Sequence, residues 1–275
     1  MDIKNFKKLV IAILPHGLVV LHRRGGVIKA IRSFFYFSKN QKRVNTVASL
    51  LADKWSKEVY LAVIQSRYMA FELEEYITWN CIYFDNVFFT YSENEFLLDC
   101  GGYTGDSIDA FISFVPNYKG IISFEPMPGN FEIIKRKHGT NPKIRLENKG
   151  IWDGGDGVTF LLNGASSKII IPGRKDNEKD NVIEIDVTSI DSLNLQEKVT
   201  FIKMDIEGAE LNALKGASQT ILRDKPKLAI SIYHSNEDMI EIVEYINKLC
   251  PEYKLYVRYY LATIYDSDTV LYGCP

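Results

Sequence analysis

The chain is poor in the residues that usually announce metal or redox chemistry. It has four histidines and four cysteines in 275 residues. Cys81, Cys100, Cys250 and Cys274 show neither a C-x-x-C pair nor a metal-ligand spacing. That argues against a zinc ribbon or a disulfide framework, and it fits reduced thiols in a cytoplasmic protein. No apolar run reaches bilayer length. The segment Val10 to Leu21 has twelve residues and is broken by Pro15, His16 and Gly17, too short to span. No small-residue cleavage site follows it, and Arg23 and Arg24 come next, so it makes a poor signal peptide. The dinucleotide fingerprint G-x-G-x-x-G is missing, as are internal repeats and low-complexity tracts. Net charge is only −2.

That small total hides an uneven distribution. Met1 to Asn45 carries ten Lys/Arg against one Asp, a net of +9, which leaves −11 for the rest. A basic arm on an acidic body suits an anionic partner. Two readings stay open. The arm lies on an anionic membrane face, with Lys7, Lys8, Arg23 and Arg24 at the headgroups. Or it packs on its own domain or on a second subunit, as in a homodimer. The acidic remainder has no aromatic-basic stripe, which argues against nucleic acid.

Residues 1–84 read as a helical N-terminal region: the basic arm over 1–45, then a helix over about 46–80 with Leu51, Trp55, Val59, Val63 and Ile64 at helical spacing. From there to 275 short apolar runs alternate with amphipathic helices, which predicts an α/β domain with a largely parallel sheet. The runs are 96–98, 120–124, 143–147, 200–204, 227–232, 254–259 and 269–272. The short linker 261–268 suits a hairpin, so the last strand is expected to be antiparallel. An inserted hairpin with a mobile polar loop is expected over about 158–187. Ser235 and Asp238 resemble a capping box ahead of an apolar face at Met239, Ile242, Val243, Ile246 and Leu249.

The most informative stretch is Phe96 to Gly105, F-L-L-D-C-G-G-Y-T-G. A strand, a glycine loop and a helix in that order build a nucleotide-type cofactor site, because the free N–H groups of the helix start face the bound group. In open α/β sheets ligands sit at the carboxyl ends of the strands. Four such ends carry ionisable residues: Asp99, Glu125, Asp205 and His234. Glu125, followed by Pro126, ends the second run, where a carboxylate can accept both ribose hydroxyls. That serves NAD and S-adenosylmethionine alike. Asp205, Glu207 and Glu210 crowd six residues. Their oxygens suit Mg²⁺ or Ca²⁺, but the sequence offers no third fixed ligand, so a metal is not favoured. Glu210 reads equally as a charge complementing the helix dipole. His234 is the best general-base candidate, since imidazole titrates near neutral pH.

D-C-G-G-Y-T-G, S-F-E-P-M-P-G-N-F, V-T-S-I-D-S-L and F-I-K-M-D-I-E-G-A-E-L-N-A-L-K-G-A together resemble the FkbM-type S-adenosylmethionine-dependent methyltransferases over about Asp85 to Pro275. The resemblance implies a Rossmann-like seven-stranded methyltransferase sheet with an antiparallel last strand. It implies S-adenosylmethionine as cofactor. The loop Asp99, Gly101, Gly102, Tyr103 and Gly105 would cradle its methionine end and Glu125 its ribose. Ile151, Trp152 and Asp153 would fall at adenine, and Asp205, Glu207 and His234 would face the acceptor. Many members read D-x-G-A-N-x-G in the loop, whereas Gly102 and Tyr103 stand here in place of Ala-Asn. The expected activity is O-methylation of a sugar, glycan or related small molecule. The alternatives are a nicotinamide-dependent Rossmann oxidoreductase and a non-catalytic binding module.

Overall fold

Seven of the apolar runs form one twisted sheet in the computed structural model, which describes residues 26–69, 72–154, 158–163, 166–170, 182–260 and 268–275. In chain order the helices are α1 (Gly26–Lys39), α2 (Gln41–Leu50), α3 (Lys54–Ser66), α4 (Asp106–Phe114), α5 (Pro128–His138), α6 (Glu210–Lys215), α7 (Ser218–Asp224) and α8 (Asp238–Leu249). The strands of the main sheet are β1 (Phe96–Cys100), β2 (Gly120–Phe124), β3 (Ile144–Glu147), β9 (Phe201–Met204), β10 (Lys227–Ser231), β11 (Lys254–Tyr259) and β12 (Thr269–Cys274). Their order is β11-β12-β10-β9-β1-β2-β3. β1 is parallel to β2 and β9, whereas β12 is antiparallel to both its neighbours. The order reverses between β1 and β9, so the ligand crevice of this topology opens over their carboxyl ends. Among the described residues no helix is long and apolar enough to cross a membrane.

The strands bury both faces, which is why they read as continuous apolar runs. Leu98, Cys100, Ile122, Phe124, Ile202 and Met204 join one core with α2, α3 and α8. Leu97, Ile121, Phe201 and Tyr272 join the other with Phe84, Phe89, Ile108 and Phe111. Alternation along each strand sends successive side chains to opposite cores.

The insertion departs from the expected hairpin. β5 (Val158–Asn163) lies between β6 (Ser166–Ile170) and β7 (Val182–Ile185) in a three-stranded antiparallel sheet. The strand at 166–170 begins S-S-K, which masked it. β4 (Gly150–Ile151) and β8 (Val187–Thr188) form a short parallel pair of their own. The polar loop expected to be mobile lies largely outside the described residues.

The single helix expected over 46–80 is two. Leu51 leaves α2 in extended geometry and bridges Leu255 of β11. Asp53 then caps α3 by accepting from the Ser56 amide at 2.5 Å. A tertiary partner thus outweighs local helical periodicity. The same region covers the open edge of β11. Ala52 N donates to Leu255 O at 2.8 Å, and Thr78 N to Tyr259 O at 2.8 Å. Ser56 Oγ accepts from Val257 N at 3.0 Å. Such cover blunts an edge that would otherwise pair with other chains. Residues 26–45 of the basic arm are helical in α1 and α2, and Arg43 is paired with Glu244 at 2.6 Å. The apolar segment 10–21 lies outside the described residues.

Candidate active site

Strand register builds the floor of the crevice. Asp99 stands opposite Ser123 on β2 and opposite Lys203 on β9. All three therefore point to one side of the sheet and form a polar row inside a buried layer. Asp99 is fully buried and saturated there. Ser123 Oγ donates to it at 2.7 Å, Ser107 Oγ at 3.0 Å, and Lys203 Nζ lies 3.3 Å away. Asp99, expected at the cofactor, thus has both oxygens engaged by Ser107, Ser123 and Lys203 at the base of the loop. Lys203, 3% exposed, also donates to Gly101 O at 2.5 Å and lies over the Tyr83 ring. Burial opposes its charge, but Asp99 and Asp205 outweigh that and raise its pKa.

The loop above this row has the backbone that the glycines predict. Gly101 and Gly105 have φ of +87° and +88°. A Cβ on Gly101 would run into the carbonyl oxygen of Asp205. Gly101 N and Gly102 N both donate to Phe124 O at 3.0 Å. Tyr103 sits at φ +45°, in the left-handed region, with its ring 61% exposed. Its amide donates to Glu125 Oε2 at 2.8 Å, and Met127 N donates to Oε1 at 2.8 Å. Glu125 is buried, and burial raises its pKa against the pull of those two amides. Asn130 adds a side-chain hydrogen bond to the carboxylate, which still has acceptor capacity left for a further donor. Cys100 is buried in the core as a packing residue.

The three expected adenine contacts separate. Ile151 is a core residue and Asp153 is exposed. Trp152 packs with Met127 and Val187 against Ile185. Pro126 is partly buried beside them in sequence, its carbonyl accepting from Asn148 Nδ2 at 3.1 Å. Met127 was not anticipated; its position two residues after Glu125 was the available signal.

Across the crevice Asp205 collects four groups. Its backbone N–H donates to Cys100 O at 3.0 Å, fixing it beside the loop. Tyr83 Oη donates to its carboxylate at 2.6 Å and Tyr233 Oη at 3.2 Å. His234 Nε2 lies 2.9 Å from Oδ1. The same Nε2 is 3.2 Å from Glu210 Oε1, while Nδ1 is 3.8 Å from Glu207 Oε2. Burial opposes charging the ring, but Glu210 and Asp205 raise its pKa well above the ordinary value. Asp205 is held well below the usual carboxylate range: burial raises it, and His234 and Lys203 more than reverse that. Glu207 is exposed at φ +59°, and partial burial of its carboxyl raises its pKa. Ser235 and Asp238 form the expected reciprocal cap at 2.8 and 3.0 Å. The loop they end is tied to the N-terminal helices. Arg67 of that region donates to Tyr233 O, and Ser33 and Asn236 bond at 3.0 Å.

The FkbM methyltransferase domain matches residues 99–254. The chain belongs to that family. The crystal structure of methyltransferase FkbM from Methylobacillus flagellatus KT is 29% identical, with a TM-score of 0.70 over 86% of this chain and 60% of that one. The chain thus spans about 60% of that relative's length. An rRNA methylase from Streptococcus thermophilus is 13% identical at TM-score 0.42, over 66% of this chain and 87% of its own. Fibrillarin from Aeropyrum pernix, solved with S-adenosyl-L-methionine, is 11% identical at 0.39, over 66% and 67%. No curated protein matches significantly.

Proposed function

We propose that this FkbM family chain transfers the methyl group of S-adenosylmethionine to a hydroxyl of a sugar, glycan or related small molecule. The observation that carries the reading is the pairing of two half-sites across the β1/β9 switch point. On one side stand the open glycine loop and Glu125. On the other stands the Asp205–His234 pair, bonded to the loop through Asp205 N and Cys100 O.

The donor set fits the cofactor. Glu125 keeps acceptor capacity for ribose hydroxyls, and Met127 and Trp152 offer an apolar wall near it. Gly101, Gly102 and Gly105 leave the backbone bare for the methionine end. When bound, the cofactor supplies a methyl group already activated on a sulfonium. The chain's own work is to align the acceptor and manage its proton. The Asp205–His234 pair is the proposed proton acceptor. Glu210 and Asp205 raise the ring's pKa, and only its neutral form can take a proton, so turnover should rise with pH through that pKa.

Calorimetric titration with S-adenosylmethionine and with its demethylated product tests the cofactor. Binding of either, weakened by Glu125→Ala, is the expected result. No heat from both sinks the reading. Labelled-methyl transfer to a glycan and polyol panel tests the acceptor, and His234→Ala should lower turnover while cofactor affinity stays nearly unchanged.

A further inference from the structure

Asp205, Glu210 and His234 each offer one ligand-type atom, and the three atoms lie within 4.8 Å of one another. Nε2 is 2.9 Å from Asp205 Oδ1 and 3.2 Å from Glu210 Oε1. Neighbouring ligands around an octahedral ion with bonds of about 2.1 Å lie about 3.0 Å apart. The spacing therefore accommodates an ion without moving the backbone. It also suits a proton, so spacing alone decides nothing.

A second observation does. Glu210 is fully buried, and its Oε2 has no hydrogen-bond partner among the described residues. Oε1 is engaged twice, by Ile206 N at 2.8 Å and by the histidine. A buried carboxylate oxygen left unsatisfied is costly and calls for a missing partner. A cation held in the cluster would offset the charge of the whole Glu210 carboxylate, including the oxygen left without a hydrogen bond. The surrounding groups have the arrangement that orients metal ligands. Tyr83 and Tyr233 hydroxyls brace Asp205, and Glu207 Oε2 stands 3.8 Å from the other ring nitrogen, Nδ1.

We propose that Asp205, Glu210 and His234 bind one divalent metal ion. Two carboxylate oxygens and one imidazole nitrogen suit a first-row ion such as Mn²⁺ or Zn²⁺ better than Ca²⁺, which takes six to eight oxygens. The ion replaces the proton on Nε2, which leaves to solvent, and the ring keeps its proton on Nδ1. The role of the ion rests on the methyltransferase reading. With the ion in place the imidazole would be a ligand and not the base: an acceptor hydroxyl bound to the ion would become more acidic and give its proton to solvent water.

The test uses the full 275-residue chain, stripped with a chelator and titrated with Mn²⁺. Calorimetry gives the stoichiometry, and pulsed electron paramagnetic resonance detects nitrogen coupled to the ion. One site per chain with imidazole nitrogen coupling is expected in the unaltered protein. Glu210→Gln should weaken Mn²⁺ at least about tenfold, and His234→Ala should remove the nitrogen coupling. Absence of Mn²⁺ binding, binding without nitrogen coupling, or coupling that survives His234→Ala overturns the proposal. S-adenosylmethionine is titrated into the same samples with and without Mn²⁺. Cofactor binding without metal binding overturns only the metal site; loss of cofactor binding in both overturns the methyltransferase reading.

Discussion

Lys203→Met removes the cation from the centre of the polar row. The change keeps the length of the side chain and deletes one charge. Asp99 then stays buried with only the Ser107 and Ser123 hydroxyls, at 3.0 and 2.7 Å. Gly101 O loses its charged donor at 2.5 Å. Breaking one partner of a buried ion pair typically costs about 3–5 kcal/mol. The two hydroxyls left on Asp99 place the expected loss near the lower end, about 3 kcal/mol. In a chain of this size that corresponds to a fall in Tm of roughly 5 °C. Thermal and denaturant unfolding measure it. The double variant Asp99→Asn with Lys203→Met provides the control, because it removes the stranded charge along with its partner. It should lose less than the sum of the single changes by more than about 1 kcal/mol, as interacting neighbours do. A single-variant loss below about 1 kcal/mol, or simple additivity in the cycle, refutes the idea that the ion pair organises the crevice floor.

Three further outcomes are expected. In the proposed site ribose hydroxyls would donate to the ionised form of Glu125, whose pKa burial raises; cofactor affinity should therefore fall with decreasing pH, with an onset above the ordinary carboxylate range, and Glu125→Gln should bind more weakly with a flatter profile in calorimetry. An unchanged pH dependence in that variant assigns the titration to another group. Gly101→Ala places a Cβ against the Asp205 carbonyl at φ +87°, so it should abolish cofactor binding or folding, whereas Gly129→Ala, in open space, should be tolerated; equal behaviour of the two in thermal melts would contradict the loop geometry. Tyr103→Gly relieves a left-handed residue at φ +45° and should gain up to about 1 kcal/mol in chemical denaturation; a loss of stability there would show that the exposed ring packs on something in solution.

Much of the sheet was legible because its strands are buried on both faces and appear as bare apolar runs. Lys254–Tyr259 and Gly120–Phe124 match to the residue. The Ser235–Asp238 cap was legible because both partners lie within one turn. What the sequence hid depends on distance along the chain. The break at Leu51 answers to Leu255. Tyr83 meets Asp205 across 122 positions. Glu210 read equally as a helix-dipole charge and as a functional carboxylate, and only the fold reveals that it is buried against His234. Lys203 did carry a signal, a cation inside F-I-K-M, yet its partner could be named only from strand register.

That register also explains why acidic and basic groups coexist so deep in the protein. Phe201, Lys203 and Asp205 alternate with Ile202 and Met204, so one side of β9 changes from apolar to polar as it nears its carboxyl end. Asp99 on β1 and Ser123 on β2 make the same change at the same level. A charge at any one of these positions alone would be stranded. Placed side by side, Lys203 satisfies Asp99 below the loop and lowers the pKa of Asp205 above it, while His234, 2.9 Å from Oδ1, does so from the far side. Asp205 thus links the glycine loop, through Cys100 O, to the His234 cluster. The N-terminal region takes part: Tyr83, in the segment between α3 and β1, donates to Asp205, and Arg67 at the end of α3 holds the Tyr233 carbonyl. The site therefore draws on residues well before the matched 99–254, and its geometry belongs to the helical region as much as to the sheet.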